Sequence, residues 1–405
     1  MKYQAHKFSI APMMDWTDRH CRYLHRQLTS RALLFTEMVT SAALVHGDAE
    51  RLLGYNDSEH PVAVQLGGSD PMELAEAVRI CDRFGYDEIN LNVGCPSDRV
   101  QSGQFGACLM GVPGLVAQCL VAMADVTDTP ITVKCRIGID DQDIEADLDR
   151  FVDAVLPTGI EALYVHARKA WLKGLSPKEN RDIPPLNYDR VYRLKQRLGD
   201  FPVMINGGIK SLDECQTHLR HTDGVMLGRA AYHDPMILGV TDAKIFGEKR
   251  APVTLDDIER AMTAYAEIEL GKGTRLNQIT RHMLGLANGL PGARRFRQIL
   301  SVEACKPGAG PEEIAEAFAQ IDRTADRAGL RATTNSARSL PGFQRWAISK
   351  PGSLILAMTS SVLMTLRIGS RPVARPIGAN ILKYPILSPR HAVLETKYPP
   401  GASMR

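Results

Sequence analysis

The chain's 405 residues are 44% hydrophobic and 23% charged, with a formal net charge of +3. That profile excludes collagen-like, disordered and membrane-bundle classes for most of the length and leaves room for one large barrel plus an appendage. Residues 331–405 carry eleven Lys or Arg against Glu395 alone, leaving 38 basic and 45 acidic side chains in residues 1–330, so a nucleic-acid ligand must be met by a local basic patch.

Between residues 8 and 232, eight short apolar, β-branched runs recur, each followed by a turn and a stretch of helical periodicity. They are FSIAPMM from Phe8, LLFTEMV from Leu33, VAVQLGG from Val62, EINLNVG from Glu88, ITVKCRIG from Ile131, EALYVHAR from Glu161, PVMINGGI from Pro202 and GVMLGRA from Gly224. Segments such as Pro71 to Phe84 supply the crossover helices. Eight βα units predict an α/β fold, a (β/α)8 TIM barrel over residues 1–245. A doubly wound open sheet would also alternate strands and helices, but no G-x-G-x-x-G follows the first strand, and polar or glycine residues close nearly every strand at its C-terminal end.

After about residue 245 the strand pattern stops. Helical stretches near 255–270, 275–287, 292–304 and 311–329 predict a small C-terminal helical domain over 250–330, opened by the Thr254-Leu-Asp-Asp cap. Residues 331–405 are basic and proline-rich, without either periodicity, and read as an extension outside the enzyme's working fold. Their 14-residue apolar run SLILAMTSSVLMTL falls short of the roughly 20 residues that span a bilayer. Eight cysteines with no C-x-x-C pair and no N-terminal apolar segment suit a reducing cytoplasm, with no disulfide framework, no metal and no membrane partner expected. Cys81, Cys119, Cys135 and Cys215 read as small buried apolar side chains.

The strand ends carry the chemistry. Asn206-Gly207-Gly208 and Gly228-Arg229 close the seventh and eighth strands, where barrel enzymes hold phosphate: glycines let backbone N–H groups approach an anion, and Arg229 adds a bidentate cation. Lys134 and Arg136, then His166 and Arg168, stand at barrel-facing or rim positions. A Lys in a barrel needs an anionic partner, and the N1–C2=O edge of a reduced flavin is one, so a phosphate loop beside it suggests FMN. His166 alone could be a satisfied core histidine, but the company of Lys134, Arg136 and Arg168 favours a ligand-facing role. Gln65 suits the amide-like rim of an isoalloxazine. Asn92 offers a donor and an acceptor to a planar heterocycle, and the Gly94-Cys95-Pro96 turn lifts a cysteine out of the barrel mouth, where it could serve as nucleophile or as proton donor.

Taken in order, Ala11-Pro12-Met13-Met14, Gln65, Asn90-Leu91-Asn92-Val93-Gly94-Cys95-Pro96, Lys134-Cys135-Arg136, His166-Ala167-Arg168, Asn206-Gly207-Gly208 and Gly228-Arg229 resemble the tRNA-dihydrouridine synthases. KAWLKGLSPKENRDIPPLN, from Lys169 to Asn187, resembles the A-type subfamily, which acts at positions 20 and 20a. The resemblance covers about residues 5–330. It implies that Pro12, Met13, Met14, Gln65, Lys134, His166, Asn206, Gly207, Gly208, Gly228 and Arg229 hold FMN, that Cys95 is the general acid, and that Asn92, Lys178, Arg181, Arg294 and Arg297 meet tRNA. The implied reaction is NADPH-consuming reduction of uridine to 5,6-dihydrouridine in the D-loop, by a monomeric enzyme.

The window from Arg275 to Lys306 holds Arg275, Arg281, Arg294, Arg295, Arg297 and Lys306 against Glu303 alone. It reads either as a phosphate-meeting surface or as a solvated helix face. A small-molecule flavin barrel, such as a dihydroorotate dehydrogenase, would have no use for a basic appendage, and a non-catalytic RNA-binding scaffold would not need an intact Cys95.

Overall fold

A computed structural model describes residues 4–97 and 103–323. The tail 331–405 and the end of the last expected helical stretch lie outside the described residues. Eight strands are present among them: β1 (Phe8–Ile10), β2 (Leu34–Thr40), β3 (Val62–Gly67), β4 (Glu88–Val93), β5 (Ile131–Arg136), β6 (Ala162–His166), β7 (Val203–Asn206) and β8 (Gly224–Leu227). All pair in parallel, in the order β1-β8-β7-β6-β5-β4-β3-β2, and a parallel bridge from Ser9 to Leu33 closes the ring. The architecture is a TIM barrel followed by helices, as the eight-fold repetition predicts.

Because successive strand residues face opposite sides, each strand serves two cores. Val62, Val64, Ile89, Leu91, Val133, Leu163, Val165, Ile205 and Val225 point outward into a layer shared with the surrounding helices. Phe35, Ala63, Ala162, Tyr164, Met204 and Met226 form a separate cluster within the ring.

The surrounding helices are α1 (Arg19–Leu28), α2 (Ser41–His46), α3 (Ala49–Leu53), α4 (Pro71–Asp82), α5 (Pro113–Ala124), α6 (Ala146–Val155), α7 (Tyr188–Leu198), α8 (Leu212–His218), α9 (Arg229–His233) and α10 (Thr241–Phe246). Their starts follow local chemistry. Asp18 accepts from the His20 and Cys21 N–H groups to cap α1, and Asp70 caps α4 with Pro71 in the first turn, where the missing N–H costs nothing. Cys81, Cys119, Cys135 and Cys215 are all buried, as expected.

The C-terminal helices are α11 (Leu255–Gly271), α12 (Leu276–Thr280), α13 (Ala293–Ser301) and α14 (Glu312–Ala319). A capping box between Thr254 and Asp257 opens α11, and Phe296 meets Phe318 edge to face at 5.2 Å between α13 and α14. The expected helix over 275–287 is shorter. After Thr280 the chain tightens into i to i+3 turns, such as Met283 N–H to Thr280 O at 3.0 Å. There it passes so close to the barrel that a Cβ on Gly285 would lie 2.3 Å from the His233 carbonyl oxygen.

The same segment is tied to α1. Asp18 Oδ2 accepts from Arg281 at 2.5 Å and its Oδ1 pairs with His282 at 3.0 Å. Burial opposes ionisation of Asp18, but the bonds from His282, the Cys21 N–H and Arg281 outweigh it and hold the carboxyl well below its ordinary range. Tyr265 of α11 stacks on Tyr23 at 3.8 Å and bonds His20 Nδ1 at 2.8 Å. No helix among the described residues is long and apolar enough to cross a membrane.

Candidate active site at the C-terminal mouth of the barrel

The turn after β4 presents Cys95. Asn92 Oδ1 accepts from the Gly94 N–H at 3.0 Å and the Cys95 N–H at 2.9 Å, and the Gly94 carbonyl takes Arg136 Nε at 2.8 Å. The turn is therefore held from both sides, by a side chain of its own strand and by one from β5. Cys95 is partly exposed, with Ser97 Oγ 3.6 Å from its sulfur. Asn92 Nδ2 donates to Gln65 Oε1 at 2.7 Å, and Gln65 Nε2 donates to Asn90 Oδ1 at 2.8 Å. Both heteroatoms of Gln65 are thus engaged inside the protein, and the Asn92 oxygen is spent on the turn.

Beside Cys95 stands a group of cations with almost no counterions. Lys134 and Arg136 face inward from β5, His166 ends β6, and Arg168 and Arg181 follow it. Arg136 donates only to neutral carbonyls, those of Gly94, Lys169 and Asn180. Arg168 donates to the Pro184 carbonyl, and its Nε is buried without an acceptor. Neither Lys134 nor the His166 ring has a hydrogen-bond or ion-pair partner among the described residues. Desolvation, reinforced by Arg136, pulls the Lys134 ammonium down to about 8. Desolvation, with Arg136, Lys134, Arg168 and Arg181 nearby, pushes His166 well below its ordinary value, so its imidazole is neutral at physiological pH. Unmatched positive charge at this cost marks a place built for an anion.

The neighbouring strand ends supply close backbone approach. Gly207 has φ of +118°, and a Cβ there would lie 2.5 Å from His166 Cδ2. Tyr188 donates to the Gly207 carbonyl at 2.7 Å, and Asn206 Nδ2 donates to the Met226 carbonyl at 2.7 Å, fixing the loop after β7. Gly228 is roomier: Met13 Sδ and Ala11 Cβ are the nearest atoms to a Cβ there, at 3.6 and 3.7 Å. Pro12, Met13 and Met14 follow β1, where Met13 N–H donates to Thr17 Oγ1 at 2.9 Å; Met14 is 55% exposed. Arg229 is paired with Asp182, its two terminal nitrogens 2.7 and 3.3 Å from the carboxylate oxygens. Asp182 lies within the Lys169–Asn187 run, but nothing in that run marks it as the partner of Arg229, 47 positions away.

The basic residues expected to meet RNA fall in two places. Lys178 and Arg181 are exposed on the loop after β6. The fully buried Asn180 clamps that loop: its Oδ1 accepts from the Trp171 N–H at 2.8 Å, and its Nδ2 donates to the Trp171 and Leu175 carbonyls. Arg294 and Arg297 are exposed on α13, and Arg297 contacts Asn288, whose amide reaches the His233 carbonyl at 2.5 Å. The rest of the basic window is partly neutralised: Arg281 pairs with Asp18, Arg295 with Glu303 and Glu316, and Lys306 with Glu303. Among the described residues no group of three or more His, Cys, Asp or Glu is placed to hold a metal ion.

A family model described as dihydrouridine synthase matches residues 9–321. A tRNA-dihydrouridine(20/20a) synthase of Vibrio parahaemolyticus is 54% identical over 318 residues, covering 78% of this chain and 97% of that protein. Its namesake in Xanthomonas axonopodis pv. citri is 55% identical over 316 residues, 78% of this chain and 94% of that one. The protein of that name in Escherichia coli O6:H1 is 58% identical over 308 residues, 76% and 93%. A solved old yellow enzyme homologue from Zymomonas mobilis aligns over 62% of this chain and 92% of its own at a TM-score of 0.44 and 10% identity, a likeness too distant to decide anything about the site. With a family model spanning most of the described chain and relatives more than half identical over nearly their whole lengths, the chain belongs to the dihydrouridine synthase family.

Proposed function

We propose that the protein reduces uridine at positions 20 and 20a of the tRNA D-loop to 5,6-dihydrouridine, consuming NADPH through bound FMN. The observation that carries this reading is the partly exposed Cys95 at the mouth of the barrel beside Lys134 and Arg136, which have no carboxylate partner among the described residues, in a chain of this family. The residues present fit FMN: the unpartnered Lys134 and His166 suit the polar edge of its ring, and the glycines at 207, 208 and 228 with Arg229 suit its phosphate. Pro12, Met13, Met14, Gln65 and Asn206 would line the same pocket. When bound, FMN supplies the hydride that adds to C6 of the uracil.

The chain's own task is to place the base and one proton. Because C5–C6 of a stacked base is out of reach, the target nucleotide is turned out into the mouth. The Cys95 thiol then gives its proton to C5, which has gained electron density as C6 accepts the hydride. Arg136 and Asn92 hold the turn so that the sulfur approaches one face. Lys178 and Arg181 on the barrel, residues 1–245, and Arg294 and Arg297 on the helical part, residues 250–330, meet tRNA phosphates, so the barrel holds the cofactor and the helices extend the RNA contact.

A single-turnover measurement with pre-reduced enzyme and unmodified tRNA tests the assignment, because it removes the NADPH half-reaction. Cys95→Ala should retain flavin and accept electrons from NADPH, yet be reoxidised by tRNA about 10²- to 10⁴-fold more slowly, the usual worth of general acid catalysis. Cys95→Ser should also be slow, a hydroxyl being a far weaker acid than a thiol. Near-parental reoxidation of Cys95→Ala would remove Cys95 from the reaction.

A further inference from the structure

We infer that Glu88, at the start of β4, is a positioning residue for the Cys95 turn, acting through the chain of hydrogen bonds Thr132, Asn90, Gln65 and Asn92. The inference rests on the reading of Cys95 as the proton donor. Thr132 Oγ1 donates its single proton to Glu88 Oε1 at 2.5 Å, and Asn90 Nδ2 donates to Thr132 Oγ1 at 2.8 Å. Gln65 Nε2 donates to Asn90 Oδ1 at 2.8 Å, Asn92 Nδ2 donates to Gln65 Oε1 at 2.7 Å, and Asn92 Oδ1 accepts from the Gly94 and Cys95 N–H groups.

The direction of every link follows from the first. With the single Thr132 hydroxyl proton given to Glu88 Oε1, a lone pair of the same oxygen must face Asn90. That requirement turns the Asn90 amide so that its oxygen faces Gln65, and it propagates through Gln65 to Asn92. Reversing any one amide would set N–H against N–H and oxygen against oxygen. Glu88 is itself fixed from its other side, Oε2 taking His6 Nε2 at 2.7 Å and Tyr164 OH at 3.1 Å.

The geometry leaves little room for relaxation. Glu88, Asn90 and Asn92 occupy the inward-facing alternate positions of β4, with Gln65 opposite Asn90 on β3 and Thr132 opposite it on β5. Glu88, Asn90 and Thr132 are fully buried, and Gln65 is 1% and Asn92 8% exposed. Apolar side chains would fill the same space without the desolvation cost, so what the chain contributes is a single orientation of the uppermost amide.

The test uses Thr132→Val, which keeps the shape and removes the hydroxyl, with Thr132→Ser as the rescue and Thr132→Ala as a second removal of the hydroxyl should the Val variant not fold. Two readouts are taken: the rate of Cys95 alkylation by iodoacetamide, mapped by mass spectrometry, and single-turnover oxidation of pre-reduced enzyme by tRNA. In the Val variant Cys95 alkylation should change several-fold and single turnover should slow on the order of ten- to a hundredfold, the scale of a misplaced reacting group. Starting from reduced enzyme keeps the NADPH half-reaction out of the measurement, and Ser should restore both readouts. Parental alkylation in Thr132→Val or Thr132→Ala overturns the inference, as does parental single turnover in an enzyme whose Cys95→Ala variant is slow. If Cys95→Ala is itself as fast as the parent, the proton-donor reading fails separately, and alkylation still reports whether the chain orders the turn.

Discussion

Gly207 lies against the edge of the His166 ring so closely that a Cβ would sit 2.5 Å from Cδ2 and 2.9 Å from Nε2. Its φ of +118° is in any case one that L side chains rarely adopt. Gly207→Ala should therefore displace the imidazole and strain the loop, costing about 1–3 kcal/mol of stability. It should also release flavin. Comparing thermal midpoints and visible absorbance after gel filtration checks both, and a variant as stable and as yellow as the parent would contradict the tight approach.

Arg229 is assigned to the cofactor phosphate, yet Asp182 holds it in the structure. Arg229→Ala should weaken FMN retention by about 1.5–3 kcal/mol, the worth of a charge-assisted contact. Asp182→Asn should do the opposite, since it frees the guanidinium. Flavin fluorescence followed on dilution distinguishes them; loss of flavin from both variants would mean that the pair itself, and not Arg229 alone, supports the site.

Arg294 and Arg297 are three residues apart on α13, so they share a face and can meet successive phosphates. Replacing both by Ala should raise the tRNA concentration needed for turnover and reduce the slope of log affinity against log salt by about two. NADPH oxidation without tRNA should be unchanged. A large fall in that reaction would sink the division of labour between barrel and helices.

Lys134 gives a pH signature. Its folded-state value of about 8 lies below the ordinary 10.5, so between those pH values the unfolded chain binds the proton more tightly. Flavin-free protein should consequently gain stability as pH rises through that window, the full penalty applying below about 8. Lys134→Met should remove this component, and urea midpoints at pH 7 and pH 10.5 for parent and variant measure it. Equal pH dependence in the two proteins would show that Lys134 is not the group responsible.

Much of the fold was legible in the sequence because it is encoded locally. The alternation in EINLNV puts Glu88, Asn90 and Asn92 on one side of a strand whatever surrounds it, and the eight repeats of strand and helix leave few arrangements other than a barrel. The Gly94-Cys95-Pro96 turn and the glycines after β7 and β8 were visible for the same reason, each being a backbone requirement of a few neighbouring residues. Charge pairing was not legible. Arg281 is neutralised by Asp18, 263 positions away, and Arg229 by Asp182, 47 positions away. The second C-terminal helix ends at Thr280, and the turns after it bring Gly285 against His233 of the barrel. Periodicity reports which way a side chain points; closing the barrel and packing the helices on it decides which charges meet, which stay unmatched at the mouth, and which way the buried amides face.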